Sequence, residues 1–201
     1  MKAILDQIKA ETEKFQKQIA DEVVSMFNKA HQVPPAAFLL TFKDGKFSIG
    51  LIDLEPVMFN DTGKDIAQYI VKEACNQLKP FAVAFVSEGW MVKGEKQNLE
   101  DLMDDEGNMK VRPMNHPERI ETVFINFETH EKAGMQSWKI VREEGKDPYL
   151  EPMEILTEGD WKDKKGLKIK GRFSGFLEDM YADMFGDLGN STETPNKDVK
   201  D

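Results

Sequence analysis

Four ionisable side chains stand where a site could form. Glu88 lies near the end of FAVAFVSEGWMV, the longest nearly unbroken apolar run, and Arg119, Glu121 and Arg142 border two later strand-like segments. A carboxylate on an apolar face is costly unless a cation or hydrogen bonds compensate it. The set therefore has two readings. In the structural one, which we favour, Glu88 forms an ion pair with Arg119 or Arg142 at the end of a sheet. In the functional one, Glu88, Arg119 and Glu121 are catalytic groups in a cleft roofed by the acidic segment 94–118. Nuclease-type sets need E-x-K on a strand, and no strand here carries it. Trp90 and Arg142 are binding candidates at the same end, with Met180 and Met184 on a C-terminal amphipathic stretch.

Other chemistry-bearing residues carry less. Gly63-Lys64 lacks the earlier glycine and the following Ser or Thr of a phosphate-binding loop, so Thr62-Gly63 reads as a helix start. His31, His116 and His130 have no i, i+4 partner. Glu128 and His130 could offer two ligands at a strand end, short of the three or four that zinc takes, so His130 reads as a solvated turn residue. Cys75, the single cysteine, flanks the apolar face of a helix and reads as a buried, inert thiol. The residues call for no metal and no cofactor. Residues 161–172, WKDKKGLKIKGR, hold six basic groups against one acid; we read them as a solvated strand or turn rather than a nucleic-acid contact.

Composition restricts the partners. The chain has 201 residues, 37 acids against 27 Lys and Arg, and a net charge of −10. That balance opposes bulk attraction to nucleic acid or anionic membranes. No window approaches the roughly 18 apolar residues of a membrane span, and the first residues lack a signal-peptide apolar core. The expectation is a cytoplasmic protein acting through a protein partner or self-association.

The elements that must position these residues follow from periodicity. Ile4, Ile8, Phe15, Ile19, Val23, Met26 and Phe27 recur at helical spacing over residues 3–30, and the helix should end before Pro34-Pro35. AFLLTFKDGKFSIGLI predicts a hairpin turning at Asp44-Gly45, with Phe42 opposite Phe47, Leu40 opposite Ile49 and Phe38 opposite Leu51. All six large side chains then share one face. A second helix starts near Thr62, with Asp65 completing a capping box, and buries Ile66, Ile70, Ala74 and Leu78 with Ala67 and Val71. Pro80 stops it, and the Phe81–Val92 strand follows with Ala82, Ala84, Val86, Glu88 and Trp90 on one face. Strands are expected over Arg119–Thr129 and Met135–Glu143, an edge strand near Pro152, and a last helix over Ser174–Phe185.

This order predicts an α+β fold: an antiparallel sheet of about five strands flanked by helices, α-β-β-α-β-β-β-α. The topology is similar to the profilin and roadblock arrangement, with terminal helices on one face and a middle helix on the other. Residues 1–186 are expected to form one domain and 187–201 a disordered tail. The elements FVSEGW, PERIE and IVR, spread over residues 37–143, resemble a family of uncharacterised phage and prophage proteins that carries S-E-x-W and P-x-R-x-E elements and a strand ending in Arg. Gly89 stands where that pattern has Ala. The resemblance implies a phage-encoded protein working in the host cytoplasm, and no activity. The leading expectation is an acidic interaction module, and the alternative an enzyme using the Glu88, Arg119 and Glu121 end.

Overall fold

In the computed structural model, residues 2–92, 110, 113–130, 132–153, 157–160, 173 and 175–177 are described. Asp44 and Gly45 take φ of 52° and 79°, the pair of positive angles that a type I′ turn requires. The turn joins β1 (Ala36–Lys43) to β2 (Lys46–Asp53), with Phe42↔Phe47, Leu40↔Ile49 and Phe38↔Leu51 opposite one another. The hairpin register is the expected one.

β3 (Ala82–Val92) lies beside β1, followed by β4 (Arg119–Thr129) and β5 (Lys132–Val141). β6 (Tyr149–Pro152) and β7 (Thr157–Asp160) both pair with β5, giving a seven-stranded sheet of order β2-β1-β3-β4-β5-β6 with β7 off this path. Every pairing is antiparallel. The class is α+β, as predicted, and β6 is the anticipated edge strand ending at Pro152. β7 was not legible in the sequence.

α1 (Lys2–Ala30) covers one face of the sheet. Phe15, Ile19, Val23 and Phe27 are buried there in one cluster with Ala82, Ala84, Val86, Val123 and Ile125. The alanines of β3 let the helix lie close. Each fully buried large side chain contributes roughly 1.5–3 kcal/mol, which anchors the second half of the helix.

α2 (Asp61–Leu78) covers the opposite face and differs from expectation in two respects. Its cap is Asn60, whose side-chain oxygen accepts the Gly63 N–H at 2.8 Å, in place of Thr62. Its fully buried stripe is Gly63, Ala67, Val71 and Cys75; Ala67 and Val71 are as expected, Ile70 and Ala74 are half-buried against the same cluster, and Ile66 and Leu78 are exposed. At the first of these positions only glycine fits, because a Cβ on Gly63 would lie 1.8 Å from the Val57 carbonyl oxygen. Cys75 is buried as expected, and burial pushes its thiol up to about 12.

Phe176 and Leu177 also pack on the α2 face, where Phe173 stacks on Phe85 with ring centroids 4.0 Å apart. Phe173, Phe176 and Leu177 therefore sit with the middle helix, not with α1. Residues 94–109, 161–172 and 178–201 lie outside the described residues, and with them Met180, Met184, most of the expected last helix and the tail.

Candidate functional site

Pro34-Pro35 decide where the site lies. Proline lacks a ladder donor, and the β1–β3 pairing begins only at Ala36↔Val86. β3 continues six residues past that point, through Ser87 to Val92, paired with β4 on its other side. α1 has also ended, at Ala30, and beyond it Glu88 and Glu121 on its face of the sheet are only partly buried and Trp90 is exposed. Alternation places Glu88 and Trp90 of β3 on that face. Their opposite neighbours Val123 and Glu121 of β4 share it, as does Arg119 two residues earlier. Arg142, just past β5, reaches the same shelf.

Five nominated residues thus converge, but not as paired in the expectation. Glu121 takes the Arg142 guanidinium with both oxygens, from Nε at 2.9 Å and Nη2 at 2.8 Å. That hydrogen bonding, ahead of the opposing desolvation, holds the Glu121 carboxyl below its ordinary range and Arg142 above its own. Arg119 lies over the Trp90 ring, 5.0 Å from its centroid, a geometry in which the ring quadrupole attracts the cation. Neither arginine forms a salt bridge with Glu88 among the described residues.

The structural ion pair of Glu88 is accordingly corrected. Its Oε1 accepts the backbone N–H of Val33 at 2.6 Å, in the linker that leaves α1. Burial pushes its carboxyl above the ordinary range, with the Val33 N–H opposing and the Glu121 charge adding a smaller push upward. Glu88 also lines an open cleft of about 280 Å³, with Val33, Pro34, Glu55, Lys64 and Ser87 around it. Lys64 lies 3.5 Å from Asp61.

His130 is a second correction. It is not solvated: the ring is half-buried, its Nε2 lies 3.1 Å from the Pro80 carbonyl oxygen, and burial lowers its pKa. Glu128, on the same face, is no ligand either. It is 2% exposed and its oxygens accept the backbone N–H groups of Gly175 at 2.7 Å and Leu177 at 3.2 Å. Asn126 Nδ2 donates to the Phe173 carbonyl at 3.2 Å. Polar residues at alternate positions of an apolar strand were the available signal for this clamp. Among the described residues no group of three His, Cys, Asp or Glu could hold a metal ion.

A third feature escaped the sequence reading. The shared apolar face of the hairpin is core only in part: Leu40 is buried, while Phe42 is 49%, Ile49 38% and Leu51 63% exposed. α1 covers the central strands and does not bury Phe42, Ile49 and Leu51. β2 is the first strand of the sheet, and among the described residues its outer edge faces no other strand.

Comparison with known proteins found no matching family model, no similar curated protein and no similar solved structure. Among the described residues no helix is long and apolar enough to cross a membrane.

Proposed function

We propose that the protein is a non-enzymatic interaction module that binds a protein partner by accepting an extended strand along β2. One observation carries the reading: an eight-residue edge strand whose neighbouring apolar side chains, Phe42, Ile49 and Leu51, remain exposed. Natural edge strands are guarded by proline, central charges or bulges. From Phe47 to Ile52 this one has no proline and no charge, and its ladder with β1 runs without a bulge. Strand addition supplies main-chain hydrogen bonds for affinity, and alternate side chains supply specificity. The phage-like elements at Ser87–Trp90 and Pro117–Glu121 belong to the same proposal, with the host cytoplasm as the setting.

The test is selection of random 12-residue peptides on the protein and on Ile49→Glu. Enrichment of uncharged, alternating apolar peptides that bind the parent and not the variant is expected. Equal enrichment on both, or none, would overturn the reading.

A second reading rests on Glu88, whose raised carboxyl opens on the cleft with no salt bridge to an arginine among the described residues. It makes the cleft a small-molecule or catalytic site with Glu88 as its acid. Arg119 is held on Trp90 and Glu121 by Arg142, and the titratable and hydroxyl groups that share the cleft with Glu88 are Glu55, Ser87 and Lys64, the last 3.5 Å from Asp61; no paired acid and base is formed among them, which is why it ranks behind. A metabolite screen by thermal shift, repeated on Glu88→Gln, tests it. A shift present in the parent and absent in the variant would favour the cleft; no shift with any compound would remove it.

A further inference from the structure

We infer that the cleft beside Glu88 binds a short alkyl diamine, with one ammonium on the Glu88 carboxylate and the other on Glu55; this rests on the second reading above, of the cleft as a small-molecule site. The cleft exists because β1 starts late. Pro34 and Pro35 bring no N–H to a ladder, so the first β1–β3 pair is Ala36↔Val86, while β3 runs on to Val92. The space beside Ser87 and Glu88 is bounded by the linker before β1 on one side. Glu55, Met58 and Lys64, around the start of α2, bound it on the other. Its volume of about 280 Å³ stands at the small end of ligand pockets, where a molecule of a few heavy atoms fits.

The charged groups of the lining fix the sign of the ligand. Glu88 Oε1 is taken by the Val33 N–H at 2.6 Å, and among the described residues Oε2 has no hydrogen-bond or salt-bridge partner. The Ser87 hydroxyl donates to the Glu88 carbonyl at 2.9 Å and so does not compete for the carboxylate. Arg142 is taken by Glu121. Glu55 is exposed, and its carboxylate forms no salt bridge among the described residues. Lys64 is the one cation among the lining residues, and its Nζ lies 3.5 Å from Asp61, which is not part of the lining. Two carboxylates of the cleft are therefore unmatched, while its lysine is matched from outside.

An ammonium suits the Glu88 end. It is a compact cation with three donors and no acceptor, and contact with it offsets the desolvation that raises the Glu88 carboxyl. The stem has its own surface. Val33 is buried and Pro34, Pro35 and Met58 are half-buried, all of them along the cleft, and methylene groups gain by leaving water against such a wall. Glu55, exposed at the rim, is the second anchor, which is why two ammonium groups on one short chain fit better than one.

Titration of the ¹⁵N-labelled full chain at pH 7 and low salt, followed at the Val33 and Glu88 amides, tests the inference with 1,4-diaminobutane, n-butylamine and 4-aminobutanoate. Each ammonium–carboxylate contact should be worth roughly tenfold in affinity. The diamine should therefore bind about tenfold more tightly than butylamine, Glu55→Gln should abolish that difference, and Glu88→Gln should weaken both amines by a like factor. Circular dichroism verifies that the variants fold. The net charge of −10 draws any cation, so Glu13→Gln, exposed on α1, removes the same charge elsewhere and should leave the affinities unchanged. An equal loss in Glu13→Gln would show cations held by net charge only and overturn the inference. Binding of 4-aminobutanoate as tight as that of the diamine would make Lys64 the second anchor and overturn it as well. If no amine binds, the inference falls. A compound of another class whose thermal shift disappears in Glu88→Gln would then leave the cleft reading standing, and its absence would remove both.

Discussion

The Glu88 carboxylate accepts the Val33 backbone N–H at 2.6 Å across 55 residues of sequence. This bond ties the exit of α1 to the far half of β3. It also gives a buried donor, placed just before two prolines, its acceptor. The carboxylate stabilises the linker by this bond and destabilises it by being half-buried and charged.

That balance has a sign. Burial raises the folded-state pKa of Glu88 above its ordinary value near 4.5. The folded protein then binds more protons than the unfolded one between the two values, so stability falls as pH rises through that window and stays reduced above it. Glu88→Gln keeps an acceptor for Val33 and removes the charge. It should raise stability at pH 7 by a few tenths to about 1 kcal/mol after allowance for solvent screening, with the gain gone at pH 3. Urea denaturation at both values checks this; a large loss at pH 7 would restore a structural ion pair.

His130 works in the opposite pH direction. Its pKa is lowered from 6.5 by burial, against the hydrogen bond to Pro80. The unfolded state binds the proton more readily, so stability falls as pH drops below about 6.5. His130→Gln retains a donor for the Pro80 carbonyl without titrating. Melting profiles from pH 7.5 to 5 should be flatter for the variant by about 1 kcal/mol at most. Parallel profiles would show that the ring does not titrate differently on folding.

Glu128 should be the most costly single carboxylate to remove. Glu128→Ala leaves the Gly175 and Leu177 N–H groups without this acceptor beneath buried apolar residues. The loss should be about 3 kcal/mol. Protease susceptibility after residue 172 should rise with it, since the clamp holds that end of the chain on the α2 face. Unchanged proteolysis would mean that Phe173, Phe176 and Leu177 suffice as the anchor.

Two glycines separate backbone strain from steric exclusion. Gly45 has φ of +79° and nothing within 4 Å of an added Cβ. Gly45→Val should therefore cost about 1–3 kcal/mol, and Gly45→Asn, which tolerates that conformation, much less. Gly63 has no such φ but abuts the Val57 carbonyl, so Gly63→Ala alone should cost about 3 kcal/mol or more. Thermal unfolding of the three variants checks the order. A mild Gly63→Ala would show that the linker before α2 moves freely.

The hairpin, both faces of β3 and the strand alternation of β4 and β5 were legible because each rests on local rules. A two-residue turn sets register, and period two sets faces. The convergence of Glu88, Trp90, Arg119, Glu121 and Arg142 was legible for the same reason. Their pairing was not. Arg142 reaches Glu121 because β5 runs beside β4, and Arg119 settles on Trp90 because β3 and β4 pair through Val92↔Arg119. Sequence alternation states which face a side chain occupies and leaves its partner to sheet order.

What the sequence by itself determined is the set of elements, their faces and the hairpin register, all functions of neighbours a few residues apart. Only the tertiary structure decided that Val33 and not an arginine meets Glu88, that α2 turns its small residues inward, and that the Phe42, Ile49 and Leu51 face stays open. Each depends on where one element ends relative to another far along the chain. α1 runs over the central strands and Leu40 and leaves Phe42, Ile49 and Leu51 of the hairpin exposed, and no local periodicity encodes the reach of a helix across a sheet.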